Sequence, residues 1–191
     1  MRTDYTPASY WDRRYREGRT SGAGSEGNEG QYKADYVSDF IRNHGITSVI
    51  DWGCGDGQVL QLMRLEDALY RGVDCSPTIV DRMQRKFPEH SFSTDDVHQP
   101  TAELALSMDV LFHLPADHHY SAYLHDLFES ARRFVIIYST DYAGGRTARH
   151  VYRREFTPDV AERFPEWKLQ IEEPPLREGL ASFFVYEKVA S

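Results

Sequence analysis

The stretch VIDWGCGDG, Val49 to Gly57, holds the densest chemical signal in the chain. Asp51 is followed by Gly53, Gly55 and Gly57 at every second position. Glycines at that spacing permit a tight turn and let a ligand approach the backbone closely. Charge and spacing then narrow the ligand. The dinucleotide pattern G-x-G-x-x-G fails, because its third glycine falls on Gln58 when counted from Gly53 and on Leu60 when counted from Gly55. A pyrophosphate on a helix N-terminus needs donors and no acids, yet Asp51 and Asp56 flank this loop. No Gly-Lys-Ser/Thr is present, which excludes a P-loop. Two carboxylates repel phosphate and suit a cation. Asp74 follows 17 residues after Gly57, where an acid at the end of a second strand typically accepts hydrogen bonds from ribose hydroxyls. The competing reading of the same residues is a plain acidic turn.

The elements that must position these groups follow from periodicity. Tyr36, Val37, Phe40, Ile41 and His44 keep helical spacing, and Gly45 is a C-terminal stop. Thr47 to Asp51 reads as a buried strand and Gly57 to Glu66 as a helix. A strand over 69–74 precedes Ser76-Pro77, an N-cap with proline at the first helical position, and a helix to Phe87. A weaker strand is expected at 92–96 and a fourth strand at 104–107 or slightly beyond. Asp117 is read as the cap of an amphipathic helix presenting Tyr120, Tyr123, Leu124, Leu127, Phe128 and Ala131. A strand over 133–139, a short helix from Thr157-Pro158 to near Phe164, and strands at 167–171 and 182–188 complete the pattern. Strands alternating with helices imply right-handed crossovers. The expected fold is therefore α/β: one Rossmann-like domain, a seven-stranded, mostly parallel sheet with helices on both faces and its last two strands antiparallel. In such sheets ligands bind at the carboxyl ends of the strands.

A ligand with a ribose, a positive charge and no phosphate matches S-adenosylmethionine. At this point the sequence, from about Gln31 to Lys188, resembles the class I S-adenosylmethionine-dependent methyltransferases, small bacterial enzymes with small-molecule acceptors in particular. The resemblance implies that Asp51, Gly53, Gly55 and Gly57 hold the methionine part and Asp74 the ribose. It implies that Asp96 and the following amide of Val97 hold the adenine, although the adjacent Asp95 is equally acidic. Cys54 and Cys75 lie at cofactor-binding positions, where they read as small loop fillers rather than nucleophiles. Ser107 and the rest of LALSMDVLFHL are expected to face the sulfonium and the acceptor. The product would be S-adenosylhomocysteine.

Methyl transfer is an in-line displacement at a carbon already activated by the sulfonium, so the protein's task is chiefly to hold and align the nucleophile. A hydroxyl acceptor also benefits from a base. His113 is the leading candidate, since histidine titrates near neutrality, and it matches a histidine common in this loop of small-molecule members of the family. Asp109 is the second choice, as base, orienting group or cofactor contact. The alternative for His113 is a packed ring with one satisfied nitrogen. His118, His119 and His125 do not make a metal site, because His118 and His125 are about 10.5 Å apart along a helix; no metal is expected. His150, with Tyr152 and Arg153, lies after strand five, well placed to contact an acceptor. Residues 1–30 read as an aromatic segment plus the glycine-rich loop Ser21 to Gly30, and 31–191 as the methyltransferase domain. Tyr10, Trp11 and Tyr15 either stack on the cation as part of a lid or sit on a helix that covers the sheet.

Composition sets outer bounds. The chain has 191 residues, 22 Lys+Arg against 30 Asp+Glu, and a formal net charge of −8. Generic nucleic-acid or anionic-membrane binding needs a basic surface and is not expected. Two cysteines suit a reducing compartment. The N-terminus has no apolar signal region, and the run Phe134 to Tyr138 is far short of a membrane span. The expectation is a cytoplasmic protein, monomer or homodimer, that O-methylates a sugar or natural-product hydroxyl. The rivals are an N-methyltransferase on the same fold and a non-catalytic S-adenosylmethionine-binding protein. The loop SMDVLFHLP lacks the Asn/Asp-Pro-Pro-aromatic motif associated with amide and nucleic-acid targets.

Overall fold

A computed structural model describes residues 5–95, 98–99, 101–173 and 181–189. The chain forms two compact units, residues 1–99 and 100–191.

In the first unit, Pro7 opens helix α1 (Pro7–Arg16), and the Thr6 hydroxyl caps it by accepting from the Ser9 amide. A single 3-10 turn at Ala23–Ser25 leads into α2 (Gly27–His44), which Gly45 ends in the left-handed conformation with φ 60°. The glycine-rich stretch read as a loop from Ser21 to Gly30 therefore turns helical at Gly27. Gly30 shows why a glycine stands inside that helix: a Cβ there would lie 2.5 Å from the Ser25 carbonyl oxygen. Ala34, Val37 and Ile41 are buried along α2. Strands β1 (Ser48–Trp52), β2 (Leu69–Val73) and β3 (Ser91–Ser93) pair in parallel, with α3 (Pro77–Lys86) between the last two. Ser76 caps α3 as its sequence predicts, accepting from the Ile79 amide.

One expected helix is absent. Between Gly57 and Glu66 only Leu60–Leu62 form a 3-10 turn, and Met63 is extended. The Arg64 amide donates to the Ser38 hydroxyl of α2 at 2.9 Å instead of to a carbonyl four residues back, and its guanidinium pairs with Asp35 at 3.2 Å. The apolar residues Val59 and Leu60 are still buried; their spacing served a packed turn.

The second unit contains β4 (Ala102–Met108), α4 (Asp117–Glu129), β5 (Ala131–Ser139), β6 (Gly145–Ala148), β7 (Val151–Arg153), α5 (Thr157–Arg163), β8 (Trp167–Glu172) and β9 (Ser182–Lys188). β4 and β5 are parallel; β9 is antiparallel to both β5 and β8. Leu104–Leu106 and Val135–Ile137 are fully buried, as continuous apolar runs covered on two faces should be. Asp117 is the first residue of α4 rather than its cap, and it pairs with Arg154 at 2.9 Å. The antiparallel hairpin β6–β7 has no counterpart in the periodicity reading. Overall the large sheet has the order β3-β2-β1-β4-β5-β9-β8, the seven-stranded, mostly parallel arrangement expected. No helix among the described residues is long and apolar enough to cross a membrane.

Candidate functional site

In the first unit the chain leaves β1 at Trp52 and turns through Gly53, Gly55 and Gly57, with φ of 80°, 57° and 71°. All three are in the left-handed region, where a side chain costs about 1–2 kcal/mol. The Gly53 and Cys54 amides both bond the Val73 carbonyl, at 2.7 and 3.1 Å, and tie the turn to the end of β2. Asp74 stands there. Its Oδ2 accepts from the Gly55 amide at 3.1 Å and its Oδ1 from the Ser76 amide at 2.9 Å.

Asp74 is 6% exposed and Asp51 5%. Burial pushes the Asp74 carboxyl up to about 7, against its two amide bonds, with the charges of Asp95 and Asp51 adding to the rise. Burial likewise pushes Asp51 up to about 6, while the Tyr70 hydroxyl, donating at 2.7 Å, and the Lys33 charge pull it down. Burial beside Asp74 raises both the Cys54 and Cys75 thiols, which keeps them protonated and unreactive. The adenine candidates Asp96 and Val97 lie outside the described residues.

The N-terminal segment closes on this loop. Asp56 Oδ2 accepts from the Ser21 amide at 2.9 Å, and the Asp56 amide donates back to the Ser21 hydroxyl at 3.1 Å. That hydroxyl also bonds the Tyr15 hydroxyl at 3.1 Å, and a Cβ on Gly55 would run into it. Asp12 of α1 accepts from the Ser76 hydroxyl at 2.9 Å and from the Thr78 amide at 3.2 Å. Tyr10, Trp11 and Tyr15 form a ring series, 5.3 Å edge-on and then 5.9 Å stacked, with Tyr15 buried at 2% exposure.

In the second unit Ser107 is buried at the end of β4 and accepts from the Tyr123 hydroxyl at 2.8 Å. Asp109 has φ 61°, unusual for a residue with a side chain, and its amide bonds the Tyr138 carbonyl at 2.9 Å. His113 ends a 3-10 turn, Leu111–His113. Its Nδ1 lies 3.0 Å from the His150 carbonyl oxygen, and the two imidazoles stack at 5.4 Å and 12°. A carbonyl only accepts, so Nδ1 carries the proton, and in the neutral form of the ring the lone pair is on Nε2. Arg153 sits on β7 with its guanidinium 5.9 Å from the Tyr142 ring centroid.

Several solved methyltransferases share this architecture. Magnesium protoporphyrin IX methyltransferase from Synechocystis PCC 6803, with bound S-adenosylmethionine, superposes with a TM-score of 0.71 at 19% identity, covering 98% of this chain and 100% of that one. The 1,6-didemethyltoxoflavin-N1-methyltransferase of Burkholderia thailandensis gives 0.68 at 18% identity, with 97% and 92% covered. An S-adenosylmethionine-dependent methyltransferase from Clostridium acetobutylicum gives 0.67 at 9% identity, with 96% and 98% covered. The chain has their Rossmann-like fold. No family model and no curated relative matches it.

Within that Rossmann-like frame, the donors and charges of the first unit fit the cofactor the loop suggests. Two buried carboxyls, with Asp95 adding its field, favour a ligand that brings positive charge and hydroxyl donors. Tyr70, Lys33, Ser21 and Asp12 belong to this surround and were not singled out from sequence. Lys33 left a readable trace: with Val37, Phe40 and Ile41 it falls on the apolar face of α2, and it is 1% exposed. Ser21 and Asp12 act through contacts 35 and 64 residues away, which no local pattern encodes.

Proposed function

We propose that this chain is an S-adenosylmethionine-dependent methyltransferase that methylates a hydroxyl of a small molecule such as a sugar or natural product. One observation supports the cofactor most directly: Asp74, at the end of β2, is tied by its carboxylate to the Gly55 amide of a loop built on three left-handed glycines. Each carboxylate oxygen accepts one amide and retains a lone pair for a ribose hydroxyl. When bound, the cofactor supplies an activated methyl group. Asp74 and the glycine loop bind and orient it, and Ser21 with Tyr15 shields the loop from water. Asp96 and Val97 hold its adenine in this reading, and Cys54, Cys75 and Ser107 line it.

His113 is the proposed base. The His150 carbonyl holds the proton on Nδ1 and so presents Nε2 to the acceptor hydroxyl. Asp109, fixed in its left-handed turn, orients rather than deprotonates. A net charge of −8 supports a small-molecule partner over a nucleic acid. Calorimetry with S-adenosylmethionine, S-adenosylhomocysteine and NAD tests the proposal. Saturable binding of the first two is expected; binding of NAD alone would overturn it.

A further inference from the structure

The hairpin β6–β7 runs against the charge of the chain. Residues 146–154 hold four arginines and a histidine with no acid, in a protein of net charge −8. Arg154 is accounted for: it pairs with Asp117, donates to the Leu114 carbonyl, and lies over the Tyr120 and Tyr152 rings at 4.1 and 4.7 Å. Arg153 is different. Its Nη1 donates to the Thr147 hydroxyl at 3.0 Å; its Nε, like that of Arg154, is buried without an acceptor, but unlike Arg154 it forms no ion pair with a carboxylate among the described residues.

The position of Arg153 is built. Its guanidinium faces Tyr142, and a Cβ on Gly144 would lie 2.5 Å from the Tyr142 ring and 3.1 Å from the Arg153 Cβ. Only glycine lets the two side chains approach there. The same hairpin holds His113 through the His150 carbonyl and the stacked His150 ring, which brings the imidazole and Arg153 into one neighbourhood. Arg153 is three residues beyond His150, about 10 Å of extended strand at most, which is the span of a small molecule.

We infer that the methyl acceptor bears an anionic group, a carboxylate or a phosphate, and that Arg153 binds it, with Arg146 and Arg149 adding to the attractive field. This rests on the methyltransferase reading. With Nη1 on Thr147 and Nε buried, the terminal Nη2 is the charged donor left to meet either oxyanion. The acceptor's hydroxyl then lies at His113 and its charged end at Arg153, which orients the molecule along one direction.

Side-chain nitrogen NMR of the arginine Nε–H groups tests this on the full chain. Inorganic phosphate and sodium acetate are titrated separately at constant ionic strength against chloride. The Arg153 resonance, identified by its loss in Arg153→Lys, is expected to shift saturably at millimolar anion, while exposed Arg13 and Arg85 do not. A stronger response to phosphate or to acetate names the anionic group. No saturable shift at Arg153, or equal shifts at Arg13 and Arg85, overturns the inference. S-adenosylhomocysteine calorimetry on the same sample separates the two readings. Cofactor binding without anion binding sinks this inference alone; anion binding without cofactor binding sinks the assignment of the anion as acceptor.

Discussion

Asp51 and Asp74 in the first unit are almost wholly buried, and backbone amides, a tyrosine hydroxyl and a lysine define their surroundings. The basic groups of the second unit's hairpin lie at or near the surface, and ring stacking and side-chain contacts place them. The acidic region is a matter of main-chain geometry: three left-handed glycines decide where the donors and carboxylates point. The basic region is a matter of side chains on a small hairpin. Ligand chemistry common to many proteins of one fold can be written into backbone. An acceptor that differs from one to the next is better written into side chains on a surface element.

That contrast breaks if the two regions fail to separate under mutation. The largest effect is expected at the proposed base. His113→Ala should lower turnover by about 10²–10⁴-fold while leaving S-adenosylmethionine affinity unchanged by calorimetry; an unchanged rate on an identified acceptor would remove His113 from the chemistry. Asp74→Ala should do the reverse. Losing charge-assisted hydrogen bonds of about 1.5–3 kcal/mol should weaken cofactor binding by about 10–100-fold. Equal affinity for wild type and variant would mean that the ribose is held elsewhere.

A third substitution sharpens the claim that backbone governs the acidic region. In Gly57→Ala the new Cβ meets the Met83 side chain and lies 2.9 Å from the Phe87 ring, at φ 71°. Strain and crowding together should lower stability by about 2 kcal/mol, read as a shifted denaturation midpoint with an unchanged slope. The arginine hairpin offers the control: Arg146→Ala, on an exposed residue, should leave stability within about 0.5 kcal/mol.

Legibility followed the same division. The glycine spacing, Asp74 and the Ser76-Pro77 cap were readable because a left-handed turn and a helix start each demand particular residues. Tertiary contacts decided the rest. The helix expected over 57–66 gave way to a turn because Ser38, on another helix, offers the Arg64 amide a better partner. The hairpin 145–153 was invisible because Arg146, Thr147, Arg149 and Arg153 lack the apolar alternation that marks a half-buried strand. His113 and His150 were each candidates; that the carbonyl of one would set the tautomer of the other depends on the hairpin's fold.

The prediction most specific to the buried acids is on pH. The folded carboxyls of Asp74 and Asp51 are raised to about 7 and about 6 from an ordinary 3.8. Between about pH 4 and 7 the folded chain therefore holds protons that the unfolded chain has released. Stability of the ligand-free protein should fall as pH rises through that window and level off above it. Cofactor affinity should move the opposite way, since hydroxyl donors and positive charge favour the ionised carboxylate. At pH 6 only about a tenth of Asp74 is ionised, so affinity should be about tenfold below its value at pH 8. Calorimetry and urea denaturation at pH 6 and 8 read the two trends on one sample. If both rise or both fall together, the acids do not respond to the ligand as the geometry requires. The hairpin's guanidiniums stay charged across this whole range, so anion binding at Arg153 should show no such dependence for an anion whose own charge is constant.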